Sequence, residues 1–303
     1  MTAIVLSPEV ASAIAERRAV VALESTIFST LGLPSPANAQ ALERCLAAVR
    51  ASGAVPAVTA VVDGLARVGL DESEHERVLA GSRKVAARDV PVAVAQGWSF
   101  GATTVSASLA LAAKAGVGVF ATGGIGGVHR GVEATGDVSA DLGALAAHPI
   151  VTVSAGAKAF LDLARTLEHL EMLGVPVLGF GTDELPAFWM RTSGLPLAHR
   201  VDTPHEAAAV ATAAWDLGHR GGILVTVPIP EADALPSELI VDAIAAAERE
   251  AAGAGISGPA VTPFVLARVA EATDGQSLPA NLALAEHNAG IAAQIAVALA
   301  DVL

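Results

Sequence analysis

The chain concentrates its chemistry in one stretch. Ala121-Thr-Gly-Gly-Ile-Gly-Gly-Val-His-Arg-Gly-Val-Glu-Ala-Thr-Gly-Asp-Val-Ser-Ala-Asp-Leu142 is followed, after a short interval, by Ser154-Ala-Gly-Ala-Lys158. Glycines let backbone amides approach a ligand closely and reach φ values that other residues avoid. His129 and Arg130 offer cationic or donor groups, which points to an anion pocket. Asp137 and Asp141 are four apart and share a face if a helix starts there, so a hard divalent ion held through waters is one reading. The plain structural readings stand beside these: a tight turn for the glycines, a solvated pair for His129 and Arg130, and a helix N-cap for Asp137.

Lysine is scarce. Lys84, Lys114 and Lys158 stand against fifteen arginines. Arginine cannot release its proton in a protein, whereas a desolvated lysine can and then forms a Schiff base. In a chain that otherwise uses arginine for its cations, the surviving lysines are candidates for work arginine cannot do. Lys158, two residues after Gly156, is the candidate nucleophile. Lys114, near a helix end, reads as a solvated C-terminal cation. Glu24 is a carboxylate inside the apolar run Val-Ala-Leu-Glu-Ser-Thr-Ile. Burial raises a carboxyl pKa and suits it to general-acid work; a paired structural glutamate is the alternative.

The elements that must position these groups read as alternating short β-rich runs and Ala-rich helical patterns. Strands are expected at 20–23, 57–62, 90–95, 117–121, 150–153, 175–179 and 223–227. Helices are expected at 36–51, 73–80, 103–115, 138–147, 156–172, 204–217, 237–253, 262–272 and 278–301. Ser7-Pro8 reads as a further helix start. Near-continuous apolar strands separated by helices imply a largely parallel or mixed sheet covered on both faces. The expectation is a single α/β/α sandwich over residues 1–303, with ligands at the C-terminal ends of strands. On that rule Glu24, the glycine run and Lys158 converge on one sheet edge.

Bulk properties set limits. At 53% hydrophobic residues the chain has ample material for a core, and its formal net charge is −13. That charge argues against nucleic acid and against an anionic membrane surface. The apolar stretch 103–121 contains Lys114 and several glycines, and reads as a buried helix plus strand rather than a membrane span. The N-terminus lacks a basic region followed by an apolar core, so a cytoplasmic location is expected. A single cysteine, Cys45, excludes an internal disulfide, and its helical context reads as an inert buried thiol. His148, His169 and His219 have no ligand spacing and read as surface residues.

Taken together, Glu24-Ser-Thr-Ile, Lys84 ahead of Arg88-Asp89, Gly101-Ala-Thr-Thr-Val105, the Thr122–Leu142 run, Ala155-Gly-Ala-Lys158, Pro228-Ile-Pro230, Thr262-Pro-Phe, Ser277-Leu-Pro-Ala-Asn281 and Asn288-Ala289 resemble the pseudouridine-5'-phosphate glycosidase family. The resemblance implies an α/β/α fold, a homotrimer, a manganese-type divalent cation (Mn²⁺, with Mg²⁺ the alternative) and chemistry at C1' of ribose 5-phosphate. It makes Lys158 the covalent lysine, Glu24 the proton donor and Asp137 the metal ligand. Lys84, Val105 and Ser139-Ala140-Asp141 match substrate-binding positions, and Thr122, His129 and Asn281 sit in further matching motifs.

The sequence also departs from the family pattern. A histidine is missing from Phe28-Ser-Thr-Leu-Gly, Thr226-Val227 replaces Ala-Asn, Gly136 replaces a phenylalanine before Asp137, and His287-Asn288 replaces an Asn-Asn pair. Groups of those kinds stack on and hydrogen-bond a uracil. Their loss points to a C-glycosynthase branch, with prealnumycin C-glycosynthases as the precedent, that joins ribose 5-phosphate to an aromatic aglycone. Cleavage of pseudouridine 5'-phosphate is the alternative, and a non-catalytic sugar-phosphate-binding protein is a distant third.

Overall fold

The computed structural model describes residues 4–256, 258 and 261–302. Residues 1–3 and 303, the ends of the expected single domain, lie outside the described residues. In chain order the elements are β1 Val5–Leu6, α1 Pro8–Ala15, β2 Val20–Leu23, α2 Ala37–Ala51, β3 Val55–Val62, β4 Leu65–Val68, α3 Glu72–Leu79, β5 Lys84–Val85, α4 Val90–Ala95, β6 Phe100–Thr103, α5 Val105–Ala115, β7 Val119–Ala121, α6 Val132–Thr135, α7 Ala140–Ala147, β8 Val151–Ser154, α8 Leu163–Met172, β9 Val177–Phe180, β10 His199–Val201, α9 Pro204–Asp216, β11 Ile223–Thr226, α10 Ser237–Gly253, α11 Val261–Ala272 and α12 Ser277–Ala300. Among the described residues the strands form one sheet ordered β1-β4-β3-β2-β7-β8-β11-β9-β10, with β6 also pairing β3 and β5 pairing β6.

From β2 through β7, β8, β11 and β9 to β10 every pairing is parallel. Of these, β2, β7, β8 and β11 are buried along their whole length, as strands covered by helices on both sides are, whereas β10 at the edge exposes His199 and Arg200. β3 pairs antiparallel with β4 and β6, so the sheet is mixed at that end. Local chemistry starts the helices: Ser7 accepts from Val10 N at 3.3 Å with Pro8 in the first turn, and Thr203 with Glu206 forms a capping box ahead of α9. α12 is long and apolar enough to cross a bilayer, yet its side chains are buried against α2, α9 and the strands β2, β7 and β8. Cys45 is buried in α2, and burial pushes its thiol up to about 12. Lys114 is exposed in the last turn of α5.

Three expectations are corrected. Val90–Ala95 is helix α4 rather than a strand: Pro91 falls in its first turn, where the missing N–H costs nothing, while a strand would lose a ladder bond. The helix expected over 156–172 starts only at Leu163, where Asp162 Oδ1 accepts from Arg165 N at 3.0 Å. Residues 155–161 are irregular chain, and Gly156 holds φ +79° with Pro186 O where a Cβ would sit. Third, α7 starts at Ala140 with Ser139 as its N-cap, so Asp137 precedes the helix and shares no helical face with Asp141. Strands β1, β4, β5, β6 and β10 fall outside the expected set: β1 and β5 are two residues long, and β4, β6 and β10 include Arg67, Gly101 and Arg200 in runs of three or four residues.

A buried hydroxyl cluster fixes the turn after β2. Thr103 Oγ1 donates to Thr59 O at 2.7 Å and lies 2.8 Å from Thr59 Oγ1 and 3.1 Å from Ser25 Oγ. Ser25 Oγ in turn accepts from Thr103 N at 2.8 Å, and Thr59 Oγ1 donates to Ser108 Oγ at 2.8 Å. Ser25, Thr59, Thr103 and Ser108 are all fully buried. The same turn carries Glu24. Thr103→Val keeps the volume but strands neighbouring polar groups, and is expected to destabilise the protein by about 1–3 kcal/mol in urea unfolding.

Candidate active site

The parallel register sets the site. Leu23 of β2 pairs with Ala121 of β7, and Ala121 pairs with Val153 of β8, so three strands end side by side. Glu24 follows the first end, Thr122 the second, and Lys158 comes four residues after Ser154 at the third. Adjacent strands lie ~4.8 Å apart, so the ends of β2 and β8 are roughly 10 Å from each other, with Thr122 at the strand end between them. Above these ends lies a cavity of about 510 Å³. Glu24, Lys84, Val105, Thr122, His129, Asp137, Ser139, Ala140, Asp141, Lys158 and Asn281 all line it. These eleven candidates therefore share one cavity, which Arg130 does not join.

Part of the glycine run is tied into the fold: Ile125 N donates to Gly156 O at 3.1 Å, Gly126 N to Asp141 Oδ2 at 2.9 Å and Val128 N to Thr166 Oγ1 at 3.0 Å, while Gly123 and Gly124 line the cavity. Glycine also permits close packing here. A Cβ on Gly126 would sit 2.2 Å from Ser139 Oγ, and one on Gly124 2.6 Å from the Phe188 ring. Lys158 N donates to Ile125 O at 3.1 Å, so the glycine run and the lysine loop are sewn together. Asp141 is a clamp: Oδ1 accepts from Ser106 N at 3.0 Å while Oδ2 takes Gly126 N. It joins the start of α5, the glycine run and the start of α7. The N-terminal ends of α5 and α7 and Lys84 consequently share one part of the cavity, where helix dipoles and a cation favour an anion.

Glu24 is buried, and Thr122 Oγ1 donates to its Oε1. Burial pushes its carboxyl pKa up, against the opposing pull of the Lys158 charge and the Thr122 hydrogen bond. Burial likewise lowers the pKa of Lys84, helped by the Lys158 cation. His129 Nδ1 lies 4.0 Å from Asp137 Oδ2, and burial holds the imidazole below its ordinary pKa although Asp137 pulls the other way. Burial thus disfavours the cationic form of His129. Among the described residues no three His, Cys, Asp or Glu side chains come together as a metal cage. Asp137, beside the His129 ring and lining the cavity, fits a hard cation that keeps most of its waters.

Several sequence readings fall elsewhere. Arg130 pairs with Glu248 at 3.2 Å and takes no part in the cavity wall. Thr226 and Val227 are buried in the core, with Thr226 Oγ1 donating to Leu178 O at 3.0 Å. Gly136 is exposed, with nothing near the place of its Cβ, and His287 is half-buried outside the cavity. Of the departures from the family pattern, only the segment at Leu31-Gly32 reaches the wall. His148, His169 and His219 are half-buried rather than surface residues. The wall also contains Ile27, Leu31, Phe188, Thr262, Pro263 and Leu266, which form its apolar side. Of these, Ile27 in Glu24-Ser-Thr-Ile and Thr262-Pro263 in Thr262-Pro-Phe had motifs to announce them, while Leu31, Phe188 and Leu266 had none. Asn288 was legible as a motif residue, but its contacts were not. From α12 its Nδ2 donates to Thr122 O at 2.9 Å and Gly123 O at 3.2 Å.

Comparison with known proteins places this architecture. A family model described as indigoidine synthase A like protein matches residues 9–298. A pseudouridine-5'-phosphate glycosidase of Rhodospirillum centenum is 55% identical over 296 residues, covering 97% of this chain and 92% of the relative. One of Methylobacterium nodulans is 53% identical over 297 residues, covering 97% and 87%. Among solved structures, the prealnumycin C-glycosynthase AlnA in complex with ribulose 5-phosphate superposes with a TM-score of 0.92 at 40% identity, covering 100% of this chain and 98% of the other.

Burial of Glu24 has a measurable cost. With its pKa raised in the fold, the native state binds the proton more tightly than the unfolded chain does. Stability therefore falls as pH rises from the ordinary value of 4.5 through the raised one. Glu24→Gln keeps the hydrogen bond from Thr122 but cannot ionise. Its melting temperature is expected to exceed that of the wild type at pH 8, with the difference closing below the ordinary carboxyl pKa.

Proposed function

The chain belongs to the indigoidine synthase A-like family, to which its pseudouridine-5'-phosphate glycosidase relatives are matched over nearly its whole length, and we propose that it cleaves the C-glycosidic bond of pseudouridine 5'-phosphate to uracil and ribose 5-phosphate. The observation that carries this reading is the buried Glu24, held by the Thr122 hydroxyl, in one cavity with Lys158. Two things favour cleavage over the synthase expected from the sequence departures. The glycosidases are 53–55% identical, against 40% for the C-glycosynthase. In addition, of the positions behind that expectation Thr226, Val227, Gly136 and His287 do not line the cavity, and only the segment at Leu31-Gly32 does.

Lys84 and the first turns of α5 and α7, at Val105 and at Ser139-Ala140-Asp141, take the phosphate end. Lys158 Nζ adds to C1' as the C1'–O4' bond breaks, and Glu24 gives its proton to O4'. The C1'–C5 bond then breaks. The Lys158 nitrogen, having lost the proton it carried after addition to the Glu24 carboxylate, closes the C1' iminium with its lone pair, while the C1'–C5 electron pair goes to C5 of uracil, which takes that proton back from Glu24. Water hydrolyses the iminium, freeing the lysine and ribose 5-phosphate. The raised pKa of Glu24 keeps its proton available for the first step. Asp137, with His129 beside it, would hold a Mn²⁺ or Mg²⁺ ion, which supplies charge stabilisation to sugar oxygens when bound. A homotrimer belongs to the same reading.

The second reading is C-glycosynthesis, the same steps run toward bond formation. The close superposition with a C-glycosynthase and the apolar wall of Ile27, Leu31, Phe188 and Leu266 favour it.

Borohydride reduction in the presence of ribose 5-phosphate should add the sugar phosphate to the peptide holding Lys158. Lys158→Arg keeps the charge and is expected to abolish both trapping and turnover; normal turnover would end the covalent proposal. Cleavage of pseudouridine 5'-phosphate with kcat/KM of ~10⁴ M⁻¹s⁻¹ or above is expected. Undetectable cleavage with C-ribosylation of a phenolic acceptor would promote the second reading. Excess chelator, or Asp137→Ala, should remove most activity while the circular dichroism spectrum stays unchanged; full activity in metal-free protein would reduce Asp137 to a structural role.

A further inference from the structure

Asn281 lines the cavity beside its apolar residues, and the direction of its amide is fixed from behind. Trp189 is fully buried, and its Nε1 donates to Asn281 Oδ1 at 2.9 Å. An indole N–H can only donate, so the amide oxygen of Asn281 must face it. The Asn281 NH₂ is left to face the cavity, which Asn281 lines. Beside it, Phe188 presents its ring to the cavity, packed edge-on to Trp189 with centroids 4.9 Å apart. Phe188 holds φ +61°, a conformation a bulky residue adopts only under constraint. The constraint is visible: Phe188 N donates to Ala155 O at 3.0 Å, Leu235 N donates to Trp189 O at 2.9 Å, and the ring lies against Gly124.

We infer that Trp189 is a specificity-determining positioning residue, which locks the Asn281 amide so that the cavity offers a hydrogen-bond donor beside an aromatic face, and so selects a planar aglycone carrying a carbonyl acceptor. This rests on the proposed reading for its setting but not for its test. A pyrimidinedione meets the requirement, and so does a quinone. A ring that presents only amino groups does not.

The test separates ring recognition from catalysis. Binding of uracil and of 2,4-diaminopyrimidine is measured by calorimetry on the whole protein saturated with ribose 5-phosphate. Wild type is expected to bind uracil and not the diamine. Asn281→Asp keeps an oxygen for Trp189 and turns an acceptor toward the cavity, so the preference should invert. Trp189→Phe should weaken uracil by about threefold to tenfold, the worth of one neutral hydrogen bond. Borohydride trapping of ribose 5-phosphate at Lys158 should be unchanged in that variant. In an Asn281→Ala background, Trp189→Phe should cause no further loss of uracil binding. Additive losses, equal binding of the two rings by wild type, or an unchanged preference in Asn281→Asp would each overturn the inference. Failure of wild type to cleave pseudouridine 5'-phosphate, with the ring preference intact, would count against the proposed reaction and leave the inference standing.

Discussion

Everything in the site depends on the parallel register of β2, β7 and β8. Because Leu23, Ala121 and Val153 sit abreast, the next residues of three distant chain segments emerge at one level. A one-residue slip in any of these strands would turn its side chains to the other face and carry its functional residue out of line. The strands are buried on both faces, so the register is held by helices on either side and not by hydrogen bonds alone. α12 presses on all three from one side, and its Asn288 reaches through to the carbonyls at the end of β7.

On that frame the electrostatics are economical. A carboxylate at Glu24 loses its hydration on burial, and the two lysines at the cavity recover only part of that loss. The consequence is a group that prefers its proton, next to a lysine whose attack requires a proton at the departing oxygen. The aspartates divide differently. Asp141 has both oxygens occupied by backbone amides and serves as a fastening. Asp137, outside the helix, is open to the cavity. Two acids four residues apart thus do unlike work, because one lies within the first turn of α7 and the other before its cap.

Much of the site was legible in the sequence, because its residue types are improbable for structural roles: a lysine in an arginine-rich chain, a glutamate closing an apolar strand. The alternating pattern exposed the long buried strands, and from their ends the convergence of Glu24, Thr122 and Lys158 followed. What was illegible depends on tertiary neighbours. Pro91 turned a valine-rich run into a helix. The tight packing of Gly126 on Ser139 and of Gly124 on Phe188 shows only in the fold. Arg130 beside His129 looks like an anion grip until Glu248 claims it. Val227, which reads as a lost base contact, is core. Phe188 and Trp189 carry no motif, since their significance lies in what Asn281 and Gly124 place against them.

The cavity wall has two origins in the chain. The residues proposed to hold the sugar phosphate and break its bond leave the central strands and the first turns of α5 and α7, where each is tied to the core by backbone hydrogen bonds. The apolar side comes from the segment around Ile27 and Leu31, the Phe188-Trp189 corner and α11, which touch the strand ends without being part of them. The two halves are thus separately heritable. A descendant could rewrite the second set and handle a new ring while inheriting the first unaltered, which is how one scaffold could come to serve both salvage of a nucleotide and construction of a metabolite.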